Sequence, residues 1–452
     1  MALHRIMPEN KKNIIVVLIC YIVAVFCVGH YDANAIVTWG IELLRSVRIN
    51  QISLYAIKLI DIGMPTNYGL FVNSLTAIVE SPVYLFEIMG FPVPLVVYIT
   101  WYKMILCVVV GVIYKELHWI LDSENRCDPC VLSMFLGSIL VVFYAVAMGQ
   151  VDLFAILFMV LSVRMLLQEK WFKMALCMAM STMIKAFPIL AYAPIFIFLL
   201  GKFQKEHRIR EFVRTVILFV VPLVLERIIA LYGIPEYFTY AELVNQNNFI
   251  PKVLVIKLAG VPVVPVSILL VGIFYLWYVI KTEEIKKEDL LLCINFVYFI
   301  FFSMVEWSPQ YLLYGMIFLL ITWNYVIPNR NSTIVFGVWE SGILLTCLGH
   351  FNDSLFNAML ISNSLLGKCL HMQKEVYLGN LLPTYVGVGC YVFGRFMVTG
   401  VFAYTVLEQY RSIKMNRTKD DIPKQKTLLN GFAISIGYMC ILFIVTLVEE
   451  MG

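Results

Sequence analysis

Charge is what this sequence has least of. Of its 452 residues only 14% are Asp, Glu, Lys or Arg, against roughly a quarter in an ordinary soluble domain. With 61% apolar residues and a mean hydropathy of +0.84, a soluble globule has nowhere to hide the apolar surface. The same pairing of low charge and high hydrophobicity excludes a disordered chain. The net charge of +4 is small and dispersed, which argues against a nucleic-acid partner. Paired cysteine motifs are also scarce. Most of the 11 cysteines lie in apolar runs, where a thiol behaves as a small hydrophobe. Cys127 and Cys130 form a single C-x-x-C with no second pair and no histidine cluster nearby, too little for a zinc site or a disulfide framework.

What remains is an all-α, polytopic transmembrane bundle forming one domain over 1–452. Apolar windows long enough to enter a bilayer predict about 13 spans. They fall near 13–29, 92–114, 130–148, 153–167, 171–184, 187–200, 215–232, 261–280, 290–305, 311–327, 334–350, 385–407 and 428–447. The first follows Asn10-Lys11-Lys12 without a small-residue cleavage site and reads as a retained signal anchor. If the N-terminus is cytoplasmic, most Lys and Arg fall in inner segments, as the positive-inside rule requires. The outer loops are fewer and longer: 30–91, 233–260 and 351–384. The first carries amphipathic stretches, such as Ile41-Glu42-Leu43-Leu44-Arg45, suited to the interface. No internal repeat is evident. A multi-pass protein of a cell membrane, bacterial by preference, is the expectation.

Ionisable side chains in or beside hydrocarbon are costly, so each asks for a reason. Several gather at predicted outer ends of spans. Asp32 follows the first span in His30-Tyr31-Asp32-Ala33-Asn34. Gln150 and Asp152 share a tight outer turn. Lys185 stands alone in an outer turn, against the charge rule. Glu226 and Arg227 close the seventh span, and Glu306, Gln310 and Tyr311 flank Trp307-Ser308-Pro309. Each has a plain reading: a helix cap for Asp32, a snorkelling Lys185, an Arg227–Glu226 pair, an aromatic belt for Trp307. Their common sidedness suggests one site. Lys185 as a point charge and Arg227 as a fork could neutralise a lipid-linked phosphate. A nearby carboxylate could take a proton from an incoming hydroxyl. Together these describe sugar transfer from a polyprenyl phosphate to an acceptor alcohol, on the extracytoplasmic side.

At these residues the chain resembles the glycosyltransferase C superfamily, and within it the polyprenol-phosphate-mannose-dependent transferases of glycosyltransferase family 87. Gly149-Gln150-Val151-Asp152-Leu153 is similar to the family's Gly-Gln-x-Asn/Asp turn. Lys185-Ala186-Phe187-Pro188 is similar to its Lys-x-x-Pro box. Trp307-Ser308-Pro309-Gln310-Tyr311-Leu312-Leu313 resembles an outer turn that ends in Gln-Tyr and opens the next span. The resemblance implies an inverting transferase of a hexose, mannose first, acting on a lipid or glycan acceptor among membrane lipids. Asp32 matches the first-loop acid and would be the general base. Lys185 would stabilise the phosphate leaving group, and Gln150, Asp152, Gln310 and Tyr311 would bind the donor. Arg227 is added from its charge and place, not from a motif. Some relatives carry a second acid two residues on, linked to a metal. Here that position is Asn34, so no metal or other cofactor is expected.

Two other classes fit the topology. Lys103, Glu340 and Arg395 lie deep within predicted spans, as in a flippase for a lipid-linked saccharide. Arg45 and Arg48 in the first outer loop are what a polysaccharide polymerase would use.

Overall fold

An apolar chain in an apolar surround must pair its own backbone groups, and helices are the local way to do so. The computed structural model describes residues 11–64, 66, 68–122, 129–233, 257–258, 261–262, 287–304, 309–326, 329–349, 364–370 and 384–414. Among these the chain is all-α except for one antiparallel pair of two-residue strands, β1 (Lys257–Leu258) and β2 (Val261–Pro262).

The N-terminal part begins with α1 (Lys11–Phe26) and α2 (Tyr31–Arg48), which meet at a 64° bend. Short α3 (Tyr55–Asp61) leads to α4 (Leu70–Ile88), which lies against α2. Gly40 allows that contact: a Cβ there would stand 2.9 Å from the backbone of Thr76 and Ala77. Long α5 (Leu95–Asp122) follows, then α6 (Pro129–Gly137) and a π-helical segment over Leu140–Ala147. Next come α7 (Asp152–Leu167), α8 (Trp171–Ile184), α9 (Ile189–Lys205) and α10 (Ile209–Gly233). The C-terminal group is α11 (Lys287–Met304), α12 (Leu312–Val326), α13 (Asn329–Gly349), α14 (Leu365–Cys369) and α15 (Thr384–Lys414). A continuous apolar core runs through both groups and includes Tyr102, Tyr144, Tyr192, Tyr298, Trp323 and Trp339.

These are the helices of a membrane protein, but the thirteen predicted spans are not all found. Among the described residues three helices are long and apolar enough to cross a membrane: Leu95–Asp122, Ile209–Tyr232 and Gly389–Lys414. The bent α1–α2 pair makes a fourth if it is one span. The apolar stretches at Val131–Ala147, Trp171–Ile184, Asp289–Ser303 and Ile334–Thr346 are shorter helices. Residues 263–280 and the span at 428–447 lie outside the described residues. The predicted first outer loop is mostly helical, since α2, α3 and α4 fill it.

Helices that break inside the bundle leave carbonyls and N–H groups without intrahelical partners. Side chains from other helices supply them. Lys103 of α5 donates to the Val28 carbonyl at 2.6 Å and the Ala24 carbonyl at 3.4 Å, where α1 ends. Glu340 of α13 accepts from Ile139 N–H at 2.9 Å and Ser138 Oγ at 2.7 Å, at the joint before the π-helical segment. Tyr21 donates to the Leu136 carbonyl on the other side of that joint. Glu226 of α10 accepts from Phe71 N–H at 3.2 Å, at the start of α4. Arg45 is likewise engaged, in a fork onto Glu87 at 2.9 and 3.0 Å and a contact with Glu42 at 2.6 Å. The Arg45 fork and the Tyr98 hydroxyl hold the Glu87 carboxyl below the usual carboxylate range.

Glu80 of α4 is the exception. It is fully buried, and neither carboxyl oxygen has a hydrogen-bond partner. Burial pushes its pKa up to about 9, against about 4.3 for an unfolded glutamate. Between those values the folded chain holds a proton that the unfolded chain has lost. Stability therefore falls as pH rises through that window. We expect Glu80→Gln to abolish this slope. In detergent the variant and the parent should melt alike near pH 4, with the variant increasingly the more stable up to about pH 9. Parallel melting curves across that range would refute the buried acid.

Candidate active site

One end of the bundle collects the polar side chains that the apolar core excludes. Asp32 sits in the first turn of α2, where the helix dipole favours negative charge. His30 caps that helix, its Nδ1 accepting the Asp32 N–H at 3.0 Å. The same Nδ1 lies 3.6 Å from the Asp32 carboxylate. The Asp32 side chain keeps 26% of its surface accessible, while His30 is buried.

Gln150 reaches Asp32 from the other side, its Nε2 donating to Asp32 Oδ2. This contact joins residues far apart in sequence, and Gly149 makes it possible. Gly149 has φ +71°, in the left-handed region, and a Cβ there would lie 2.6 Å from the Ala33 Cβ. Only glycine lets the turn both reverse and seat itself against the first turn of α2. The π-helical segment before it also matters. Met148 N–H bonds to the Phe143 carbonyl at 3.0 Å and Gln150 N–H to the Ala145 carbonyl at 2.9 Å, both five residues back. Such wide turns are rare and frequent at functional sites.

Asp152 opens α7 and is fully buried. Its Oδ1 accepts from the Tyr314 hydroxyl at 2.7 Å, and its Oδ2 has no hydrogen-bond partner. Lys185 caps α8 with an extended backbone, in the turn that Pro188 converts into α9. Its Nζ donates to the Tyr68 hydroxyl at 2.6 Å, lies 4.3 Å from the Tyr68 ring centroid and 5.6 Å from that of Tyr311. Burial disfavours the ammonium, but Tyr68 and Asp152 outweigh it and raise the Lys185 pKa above its ordinary value. Burial likewise raises that of Tyr68. Gln310 and Tyr311 are buried in a 3₁₀ turn before α12. Tyr311 stacks on Phe187 at 4.0 Å and lies within electrostatic reach of Lys185, Asp152 and Asp32.

The structure thus brings Asp32, Gln150, Asp152, Lys185 and Tyr311 together, with Gln310 next in the chain. Arg227 is not among them. It is exposed on α10, and its neighbour Glu226 is the one turned inward, onto the start of α4. Glu306, Trp307 and Ser308 lie outside the described residues. Three participants are not among the sequence-predicted site residues: Tyr68, which holds Lys185; Tyr314, which holds Asp152; and His30, which caps Asp32. Tyr314 was within reach, one helical turn after the Gln310-Tyr311 patch. Tyr68 was not, since its partner is 117 residues away. Among the described residues no three His, Cys, Asp or Glu gather as a metal site. The far ends of the same helices carry the ion pairs Arg164–Glu116 and Lys202–Glu169. Arg164 is about 18 Å along α7 from Asp152.

The sequence model of glycosyltransferase family 87 matches residues 76–309, just over half of the chain. The match takes in Gln150, Asp152, Lys185 and Arg227, and Asp32, Gln310 and Tyr311 fall outside it. No curated protein matches the chain.

Gly149→Ala should both strain the turn and drive a methyl into Ala33, at a cost of about 1–3 kcal/mol for the left-handed backbone alone. We expect a lower thermal midpoint, recovered in part by adding Ala33→Gly, which removes the methyl clash but not the strain. An unchanged midpoint in Gly149→Ala would show that the turn is not held against α2.

Proposed function

The chain belongs to glycosyltransferase family 87, and from that membership we propose that this membrane glycosyltransferase moves a hexose, mannose first, from a polyprenyl-phosphate carrier to a lipid or glycan acceptor. The site would face the extracytoplasmic side, with the N-terminus in the cytoplasm. The carrying observation is the convergence of the Asp32, Gln150 and Lys185 segments at one end of the bundle. Acid and cation there are separate, each with its own partners.

The proposed reaction is a single displacement with inversion. An acceptor hydroxyl oxygen attacks the anomeric carbon, and the bond from that carbon to the phosphate oxygen breaks. The electron pair leaves with the polyprenyl phosphate. The hydroxyl proton goes to Asp32, of the two carboxylates the one with accessible surface. Gln150 holds the carboxylate, and the His30 cap holds the backbone N–H of the same residue. Lys185 meets the phosphate, where negative charge grows as the bond breaks. Phe187, Tyr311 and Tyr68 provide aromatic walls beside that charge. Asp152 Oδ2, buried and unpartnered, can accept a hydroxyl of the donor sugar. The proposal needs no role for Arg227.

Asp32→Asn removes the base while keeping its shape. It should accumulate normally and lose about 10²–10⁴-fold in transfer from polyprenyl-phosphate mannose; full activity in purified protein would sink the assignment. Lys185→Ala tests the other half. Transfer should fall about 10²–10³-fold. A variant with parental rates and parental donor dependence would separate Lys185 from the phosphate.

A further inference from the structure

Lys103 is fully buried at mid-helix in α5, a place where an ammonium is expensive. Its two hydrogen bonds both go to backbone carbonyls at the end of α1, Val28 at 2.6 Å and Ala24 at 3.4 Å. The last carbonyls of a helix have no intrahelical donors and carry the negative end of its dipole, so a cation there is favourable. Four residues after Val28 comes Asp32. Between them lie the bend of 64°, the buried Gly29 and the His30 cap. The chain from the Lys103 contact to the carboxylate thus has no free length.

We propose that Lys103 is a positioning residue for Asp32. By tethering the end of α1 it fixes the bend, and the bend fixes the direction in which α2 presents its first turn to Gln150. Without the tether, α1 and α2 can straighten toward one continuous helix, because the intervening residues include no proline. The carboxylate would then swing away from Gln150, while Lys185, held by Tyr68, stays in place. This rests on the reading of Asp32 as the base, so one of the two measurements is independent of activity.

Lys103→Met keeps the bulk and removes the donors. Spin labels on exposed Leu18 and Val47, attached through a ketone-bearing residue to spare the native cysteines, report the α1–α2 angle by electron–electron distance. The expected result is a longer and broader distance distribution, with kcat lowered about a hundredfold. The donor KM should stay within about twofold, because the phosphate contacts are untouched. A parental distance distribution overturns the tether. A changed distribution with parental kcat overturns its link to Asp32. If Lys103→Met fails to accumulate, Lys103→Gln decides. Its amide is one bond too short for the Val28 carbonyl, so the same lengthened distances are required, and parental distances overturn the proposal. An inactive parent would speak against the proposed reaction, and the distance measurement would still decide the tether.

Discussion

Everything at the polar end of this bundle depends on breaking helices where broken helices are costly. An unbroken helix in hydrocarbon satisfies its backbone and offers only side chains. A break can aim a side chain along the bundle axis, but it strands N–H and carbonyl groups that neither lipid nor apolar neighbours can satisfy. Among the described residues three breaks are met by an ionisable side chain from a distant helix. Lys103 meets the carbonyls at the end of α1, Glu340 the N–H at Ile139, and Glu226 the N–H at Phe71. Each capped break adjoins a segment of the candidate site. After the first comes Asp32, after the second Gln150 and Asp152, and beside the third Tyr68. In the proposed site these deep groups would be part of the scaffold.

That bears on the other two classes the topology suits. A transport pathway needs intramembrane charges that a passing substrate can meet. Lys103 and Glu340 are instead fully buried, with their polar atoms on backbone and a serine hydroxyl, and Arg395 lies against Tyr391 of its own helix. Of the two first-loop arginines that a polymerase reading would use, Arg45 forms a fork on Glu87, and Arg48 is exposed. The arrangement has few polar groups, most of them held by partners, and of its two carboxylates Asp32 is the one with accessible surface.

Legibility in the sequence followed the range of the interactions. The Gly149-Gln150 turn and the Lys185-Pro188 turn are local devices, and their residue types announce them. Asp32 was legible from its place just after the first apolar run. The chain was legible as helical and membrane-embedded because composition alone decides that. The span count was not, because apolar windows do not reveal where a helix stops. The window at 130–148 hides the joint at Ser138, which Glu340 caps from 202 residues away. Helix α4 was hidden by Asn73, Glu80, Pro82 and Glu87, which interrupt its apolar pattern. Arg227 misled for a geometric reason. Adjacent residues on a helix point about 100° apart, so Glu226 turning onto α4 leaves Arg227 facing away.

The electrostatics at Lys185 suit the proposed chemistry in sign and in amount. A sugar joined to a prenyl chain through phosphate is a diester with one negative charge, and breaking its glycosidic bond leaves a monoester with more. One ammonium can balance the ground state. In the proposed reaction the growing charge would fall where Lys185, its pKa raised, keeps its proton. An interaction that strengthens as the bond breaks lowers the barrier and does more than tighten binding. The Tyr68 phenol, now accepting from Lys185, can rotate its hydroxyl toward an incoming phosphate oxygen and donate to it. The same contact that keeps the lysine placed before binding would then add a donor to the charge that develops.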